Sequence, residues 1–337
     1  MRTIERCDAA AALVPGWDES AGSWFRQREF LEYAERYNPC RVRYYHLRDG
    51  SRVVAGAIVY SLCLDLLTFL RIPSPVTMHL LAVPVGIATP GYFGAPADRD
   101  ELLRHVAQVE RGLLVVLTAD RGDDLPIGVR CRMIPTILLD LGFRDWPAYE
   151  GALRAPHRRR LRRLLARGAR LEATPGACDA FTEAHYALYR QVHDRAAAKL
   201  ETLTLDFFRH LPPRFALTSY RRGGRLVSWT ITVADGDLFM YFFGGMDYAL
   251  LAETQAYLVG LAGIVREGIA RHAPRIDLGQ TADEPKLRFG GRLVEKEMYL
   301  CHHRGWVRGL LRGLRPVLEF RGRAPRFHVF RGEGGAP

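Results

Sequence analysis

Residues 241–291 read YFFGGMDYALLAETQAYLVGLAGIVREGIARHAPRIDLGQTADEPKLRFGG, and the order of elements in this stretch sets the fold class. A strand ends in Gly244-Gly245, a loop carries Met246-Asp247-Tyr248, and a long helix is predicted over about residues 253–272. The buried strand RIDL follows and stops at Gly279-Gln280-Thr281. Asp283 is placed to cap a short helix near residues 284–289. That helix raises Lys286 toward the ends of the two neighbouring strands. Splayed strand ends beside helix N-termini are natural seats for carbonyl and phosphate oxygens.

Upstream, strands are predicted at 214–220, 226–234 and 238–243, with glycine turns at Arg222-Gly223-Gly224 and Asp235-Gly236-Asp237. A helix precedes them at 179–195, and a strand over 292–301 closes the half. The first half repeats the plan. It offers a helix near 23–36, two strands about the hairpin dipeptide Asp49-Gly50, and strands at 66–71 and 80–85 around Pro73 and Pro75. A helix at 98–110, the fully apolar run LLVVLT at 113–118 and a strand at 134–141 complete it. Hairpins followed by helix, buried strand, helix and strand, twice over, make an α+β order and not a repeating βαβ barrel. The expected division is an N-terminal domain at 1–150, a basic connecting helix at 151–175, a catalytic domain at 176–320 and a flexible tail at 321–337.

A chain of 337 residues suits two domains. Its 48 basic and 37 acidic residues leave a formal charge of +11, which favours nucleic acid, phosphorylated cofactors, acidic carrier proteins or anionic membrane surface as partners. Six cysteines without a CxxC pair predict no metal site and reduced thiols in a cytoplasm. The N-terminus lacks the apolar core of a signal peptide, and the apolar run 53–70 is broken by Asp65. Near the C-terminus, Trp306, Leu310, Leu311 and Leu314 oppose Arg308, Arg312 and Arg315 on a short amphipathic helix. Packing onto its own domain is the simpler account of that helix and argues against membrane association.

Eight arginines lie between Arg154 and Arg170. At helical spacing Arg158–Arg162 and Arg159–Arg163 form two basic ridges suited to phosphate, or equally a solvated helix face. His185 and His193, two turns apart on one helix, read as satisfied structural histidines.

Four blocks, spanning about residues 130–300, resemble the FemAB-like, peptidoglycan-biosynthesis-related branch of the GNAT acyltransferases. They are Pro135-Thr136 with Leu139-Asp140-Leu141, the helix Arg158–Arg163, Tyr189 with Thr204–Phe208, and Gly245–Tyr248 leading to Asp277–Thr281, Lys286 and Phe289-Gly290. The resemblance implies two tandem GNAT-like domains, each a mixed, mostly antiparallel sheet flanked by helices. It also implies transfer of an activated acyl or aminoacyl group to an amine. In aminoacyl-tRNA-using members a lysine beside an aromatic residue stabilises charge, and Lys286 with Phe289 stands in the matching place.

Acyl transfer needs a neutral amine, a polarised carbonyl and donors for the oxyanion. Lys286 supplies positive charge, Asp247 or Asp277 accepts the amine proton, and Tyr248 or Tyr241 protonates the leaving group. Asp277, next to a glycine, serves equally to satisfy backbone amides, and Tyr241 equally to fill the core. Gly244, Gly245, Gln280, Thr281, Phe289, Arg158 and Arg162 are the expected donor-binding residues, and Lys199 and Asp206 the acceptor-binding ones. Lys199 and Asp206 read equally well as a loop lysine and an N-cap. The glycine-rich pyrophosphate loop of ordinary GNAT enzymes is absent from both halves. The expected function is acyl transfer from a thioester, acyl-CoA or acyl-carrier protein, to an amine of a small or peptide-like acceptor, with no permanently bound cofactor. The rivals are an aminoacyl-tRNA donor and a non-catalytic tandem-GNAT binding module.

Overall fold

The computed structural model describes residues 1–38, 40–85, 88–196 and 199–332. Two compact units emerge, one of residues 1–134, 197–204 and 295–322, the other of 135–196, 205–294 and 323–337. Among the described residues, the first unit opens with β1 (Arg2–Cys7), β2 (Arg43–Asp49), β3 (Arg52–Asp65), β4 (Pro75–Leu81), β5 (Tyr92–Gly94), β6 (Leu113–Asp120) and β7 (Val129–Arg132). The second holds β8 (Thr136–Asp140), β9 (Glu172–Ala177), β10 (Ala216–Arg222), β11 (Arg225–Asp235), β12 (Leu238–Met246), β13 (Arg275–Gln280) and β14 (Arg292–Val294). The last strand, β15 (Lys296–His302), returns to the first unit. The helices follow the same pattern. The first unit has α1 (Trp17–Ala21), α2 (Arg28–Tyr37) and α3 (Pro96–Val109). The second has α4 (Trp146–Ala152), α5 (Ala155–Gly168), α6 (Glu183–Arg195), α7 (Leu205–Arg209), α8 (Leu251–Thr254), α9 (Ala256–Ala270) and α10 (Asp283–Leu287), and α11 (Gly305–Leu318) belongs again to the first.

Both sheets share one plan. The first runs β1-β2-β3-β4-β6-β15-β7, with β5 beside β3, and the second runs β14-β8-β13-β12-β11-β10-β9. Each is antiparallel except for one parallel pair, β4–β6 in the first and β12–β13 in the second. Each also takes one strand from the other's sequence neighbourhood: β8 joins β13 and β14, while β15 lies between β6 and β7. The expected boundaries at 150 and 320 are therefore crossed twice. The single strand read over 292–301 divides at Glu295 into β14 and β15, which serve different sheets.

The hairpin forms where Asp49-Gly50 marks it, but one residue on: Asp49 pairs with Arg52, so Gly50 and Ser51 make the turn and only Gly50 takes positive φ, at 61°. The strand expected at 66–71 does not. β3 continues to Asp65 and pairs with β4 through Asp65–Pro75, so residues 66–74 become the loop between them. The basic helix α5 is no linker: Leu161 and Leu164 join the core of the second unit. Residues 321–332 are not loose either, since Val329 is buried in that core and Phe330 bridges Leu153. Residues 333–337 lie outside the described residues.

Candidate active site

The parallel ladder between β12 and β13 holds only from Leu238–Arg275 to Met240–Asp277. Beyond it β13 stays with β8, and β12 stays with β11. Along β12 the register shifts at Phe242, the extra residue of a β-bulge, because Thr232 faces Tyr241 while Ile231 faces Phe243. The bulge puts Tyr241 and Gly244 on one face, and the two strands part as a V. A Cβ built on Gly279 would stand 3.8 Å from Tyr241 O of β12 and 3.9 Å from Lys286 Nζ of α10.

The turn from β13 into α10 is strained. Gly279, Thr281 and Ala282 all take positive φ, at 74°, 62° and 50°. For Thr281 and Ala282 this costs on the order of 1 kcal/mol each. Lys286 holds the turn: its buried Nζ donates to Gln280 O at 2.8 Å and Thr281 O at 2.7 Å. An ammonium has three protons, so two are committed to the backbone. Burial pulls the Lys286 pKa down to about 8, against the opposing charges of Asp277 and Asp283.

Asp277 Oδ1 accepts from Thr136 Oγ1 and from Gly279 N, each at 2.7 Å, so this buried carboxylate fixes β8 and the turn. Asp247 is bound in the same manner, with Arg225 Nη2 at 2.7 Å on Oδ2 and Ala249 N at 3.0 Å on Oδ1. Asp283 does not cap α10. Ala282 occupies the N-cap position with no side-chain bond, and the buried Asp283 Oδ1 has no hydrogen-bond partner among the described residues. That oxygen is the acceptor the sequence reading missed; the capping signature concealed it.

Tyr248 has its ring under the Arg195 guanidinium at 4.4 Å, and its amide donates to Gln191 Oε1 at 3.3 Å. Burial lifts the Tyr241 and Tyr257 phenols above the ordinary tyrosine range, and Tyr248 raises both further. Asp283 adds to the effect on Tyr257. Electrostatic coupling thus links Tyr241, Tyr248, Tyr257 and Asp283, and Asp283 in turn to Lys286.

The other expected residues lie elsewhere. Gly244 and Gly245 fit packed side chains, since a Cβ would collide with the Tyr241 hydroxyl at one and the Trp229 indole at the other. Phe289 is buried in the core, its carbonyl accepting from Tyr149 Oη at 2.8 Å. Arg162 pairs with Glu150, and Arg158 reaches Gly151 O and Leu153 O at 3.5 Å. Arg159, Arg160, Arg163, Arg167 and Arg170 have no ion pair among the described residues. Lys199 belongs to the first unit and Asp206, in the first turn of α7, to the second. A cavity of about 660 Å³ between α5, α9 and β10–β11, lined by Tyr220, Thr230 and Glu267, includes none of these candidates.

His185 is structural, as expected. Its Nδ1 accepts from Thr182 N at 3.1 Å in a capping box, and its Nε2 meets Ser219 Oγ at 2.8 Å. Burial, then the Arg221 charge, lowers its pKa to about 4. The unfolded chain takes up this proton near pH 6.5, whereas the folded chain refuses it down to about pH 4. Stability is therefore lost as pH falls through that window, at no more than about 1.4 kcal/mol per pH unit for one proton. Urea melts at pH 7 and pH 5 will show this loss, and His185→Gln will reduce it.

Residues 151–287 match the model of the acetyltransferase (GNAT) domain family. No curated protein matches the chain in sequence. Among solved structures, that of FemX superposes with a TM-score of 0.55 at 11% identity, covering 92% of this chain and 100% of that one. The structure of L-PGS from Bacillus licheniformis gives 0.50 at 8% identity, covering 79% of this chain and 87% of that one. A conserved protein of unknown function from Bacteroides thetaiotaomicron gives 0.50 at 13%, covering 80% and 88%. At such identities the likeness is one of fold. The resemblance to GNAT acyltransferases read from the sequence is borne out over residues 151–287, and the architecture of two mostly antiparallel sheets flanked by helices is borne out, a fold that FemX shares.

Proposed function

We propose that this chain is an N-acyltransferase whose second unit takes an acyl group from a thioester, on CoA or a carrier protein, and passes it to an amine. The observation that carries the reading is the parting of β12 from β13, where Tyr241 O of β12 and Lys286 Nζ of α10 both stand within 4 Å of the place a Cβ on Gly279 would take. Diverging strands can bond an extended, amide-bearing arm as an added strand would. A pantetheine arm carries such amides; an aminoacyl ester does not. The remaining Lys286 proton is available to the thioester carbonyl as it becomes an oxyanion. Asp283 Oδ1 accepts the proton of the attacking amine and yields it to the departing thiolate, which restores the carboxylate. Asp277 and Asp247 act as positioning residues, through the bonds that hold the turn and the loop.

Asp283→Asn keeps the size of the side chain and removes the base. With an acyl-CoA and a generic amine such as a dipeptide, the variant is expected to lose roughly 10²-fold or more in kcat, with little change in KM for the thioester. An unaltered kcat would remove Asp283 from the mechanism.

The second reading, an aminoacyl-tRNA donor, is favoured by the four arginines of α5 without an ion pair, Arg159, Arg160, Arg163 and Arg167, and by Arg170 just beyond it. A salt series with bulk tRNA separates the two. Phosphate contacts release counterions, so binding that falls steeply with salt supports the RNA donor, and no binding at low salt removes it.

A further inference from the structure

The amphipathic helix α11 does not bury its apolar side as its sequence led one to expect. Leu311 and Leu318 are buried, and the helix rests on β15 and β7. Trp306 stays 69% exposed, Leu310 53% and Leu314 38%. These three recur four residues apart and so form one stripe along the helix. A second element of the same unit lies against α11: the loop between β3 and β4, where Phe69 meets Phe320 edge-on at 5.7 Å. Its tip exposes Leu70 by 46% and Ile72 by 47%, on either side of an exposed Arg71. Two separate elements thus present large apolar side chains in one neighbourhood.

The charge around them is mainly positive. Arg304, Arg308 and Arg312 follow the opposite flank of the helix, and with Arg71 they make no ion pair among the described residues. Only Arg315 is neutralised, by Glu319 at 3.3 Å. An apolar stripe backed by a basic face is the pattern of a helix that lies in a bilayer interface, with long arginine stems reaching up to phosphates. No helix among the described residues is long and apolar enough to cross a membrane, so contact here is with one surface only.

We propose that α11 and the Leu70–Ile72 tip dock the protein on an anionic lipid surface. Trp306, Leu310, Leu314, Leu70 and Ile72 enter the interface, and Arg71, Arg304, Arg308 and Arg312 hold the headgroup phosphates. This role is independent of the acyl-transfer reading and can fail without it.

The test is cosedimentation of the full chain with phosphatidylcholine vesicles, with and without roughly one-third phosphatidylglycerol. The expected result is binding to the anionic vesicles alone, weakened by added salt, with a blue shift of tryptophan emission. Leu310→Glu is expected to weaken binding about tenfold or more, and Arg308→Glu about fivefold or more. Because both side chains are exposed, thermal melting should not change. Should Leu310→Glu fold poorly, Ile72→Glu on the separate loop repeats the test. Absence of binding to anionic vesicles at low salt would overturn the proposal, as would binding that neither glutamate at an apolar site alters. A dimer in light scattering that Leu310→Glu dissolves, without vesicle binding, would also overturn it and assign the stripe to a second copy.

Discussion

Lys286→Met is expected to lower kcat by roughly 10²- to 10³-fold, the cost of losing one preorganised donor to an oxyanion. Methionine follows the same path as the lysine stem. It gives up the bonds to Gln280 O and Thr281 O, worth on the order of 1 kcal/mol each, but it also removes an ammonium held away from water. The two effects oppose, so the fold is expected to survive with only a small change in melting temperature. A role confined to the turn would predict the reverse, a lower melting temperature and residual turnover. The pH profile gives a second check. The ammonium donates and the amine does not, so the rate should fall as pH rises through about 8, where Lys286 loses its proton. In Lys286→Arg this alkaline limb should vanish from whatever activity remains, since guanidinium does not titrate there. A limb left in place would assign it to another group, and wild-type turnover in Lys286→Met would remove Lys286 from the mechanism.

Gly245→Ala should have the largest effect on stability. A Cβ there would collide with Trp229 Nε1, stand 2.7 Å from Trp229 Cε2 and 2.9 Å from the Leu188 carbonyl carbon. The indole has little freedom to yield, because its Nε1 donates to His185 O at 2.8 Å and its ring packs edge-on against Phe181. Overpacking at such a site costs about 3 kcal/mol, the upper part of the usual range. Urea denaturation will measure it. The same substitution at Gly176, which has open space around it, is expected to be nearly neutral.

Local signals in the chain were sound wherever the physics is local. Asp49-Gly50 marks its hairpin, with Gly50 at the positive φ the turn needs; LLVVLT is apolar on both faces and becomes β6, inside its sheet. Strand β9 was missed because Glu172–Ala177 is exposed throughout and carries Pro175, so no alternation marks it. Residues 292–301 were read as one strand because hydrophobic period reports a strand and not its neighbours; nothing near Glu295 says that the halves pair in different sheets. At the site, Lys286 was legible from motif and spacing. Its environment was not. The positive φ of Thr281 and Ala282 gives no signature in ordinary side chains, and Asp283 looks like a cap until Ala282 is found in that position. Tyr241 approaches Gly279 only because β12 bulges at Phe242, which depends on register.

The crossing of β8 and β15 has a consequence for synthesis on the ribosome. When residue 150 emerges, β6 and β7 already exist, but β15, which must lie between them, is almost 150 residues away. The nascent first sheet therefore waits with the apolar edge of β6 unpaired, a template for association with other chains. The second sheet, whose strands all precede β15, is complete before the first, and a gene cut once at residue 150 would encode two fragments that each lack a strand.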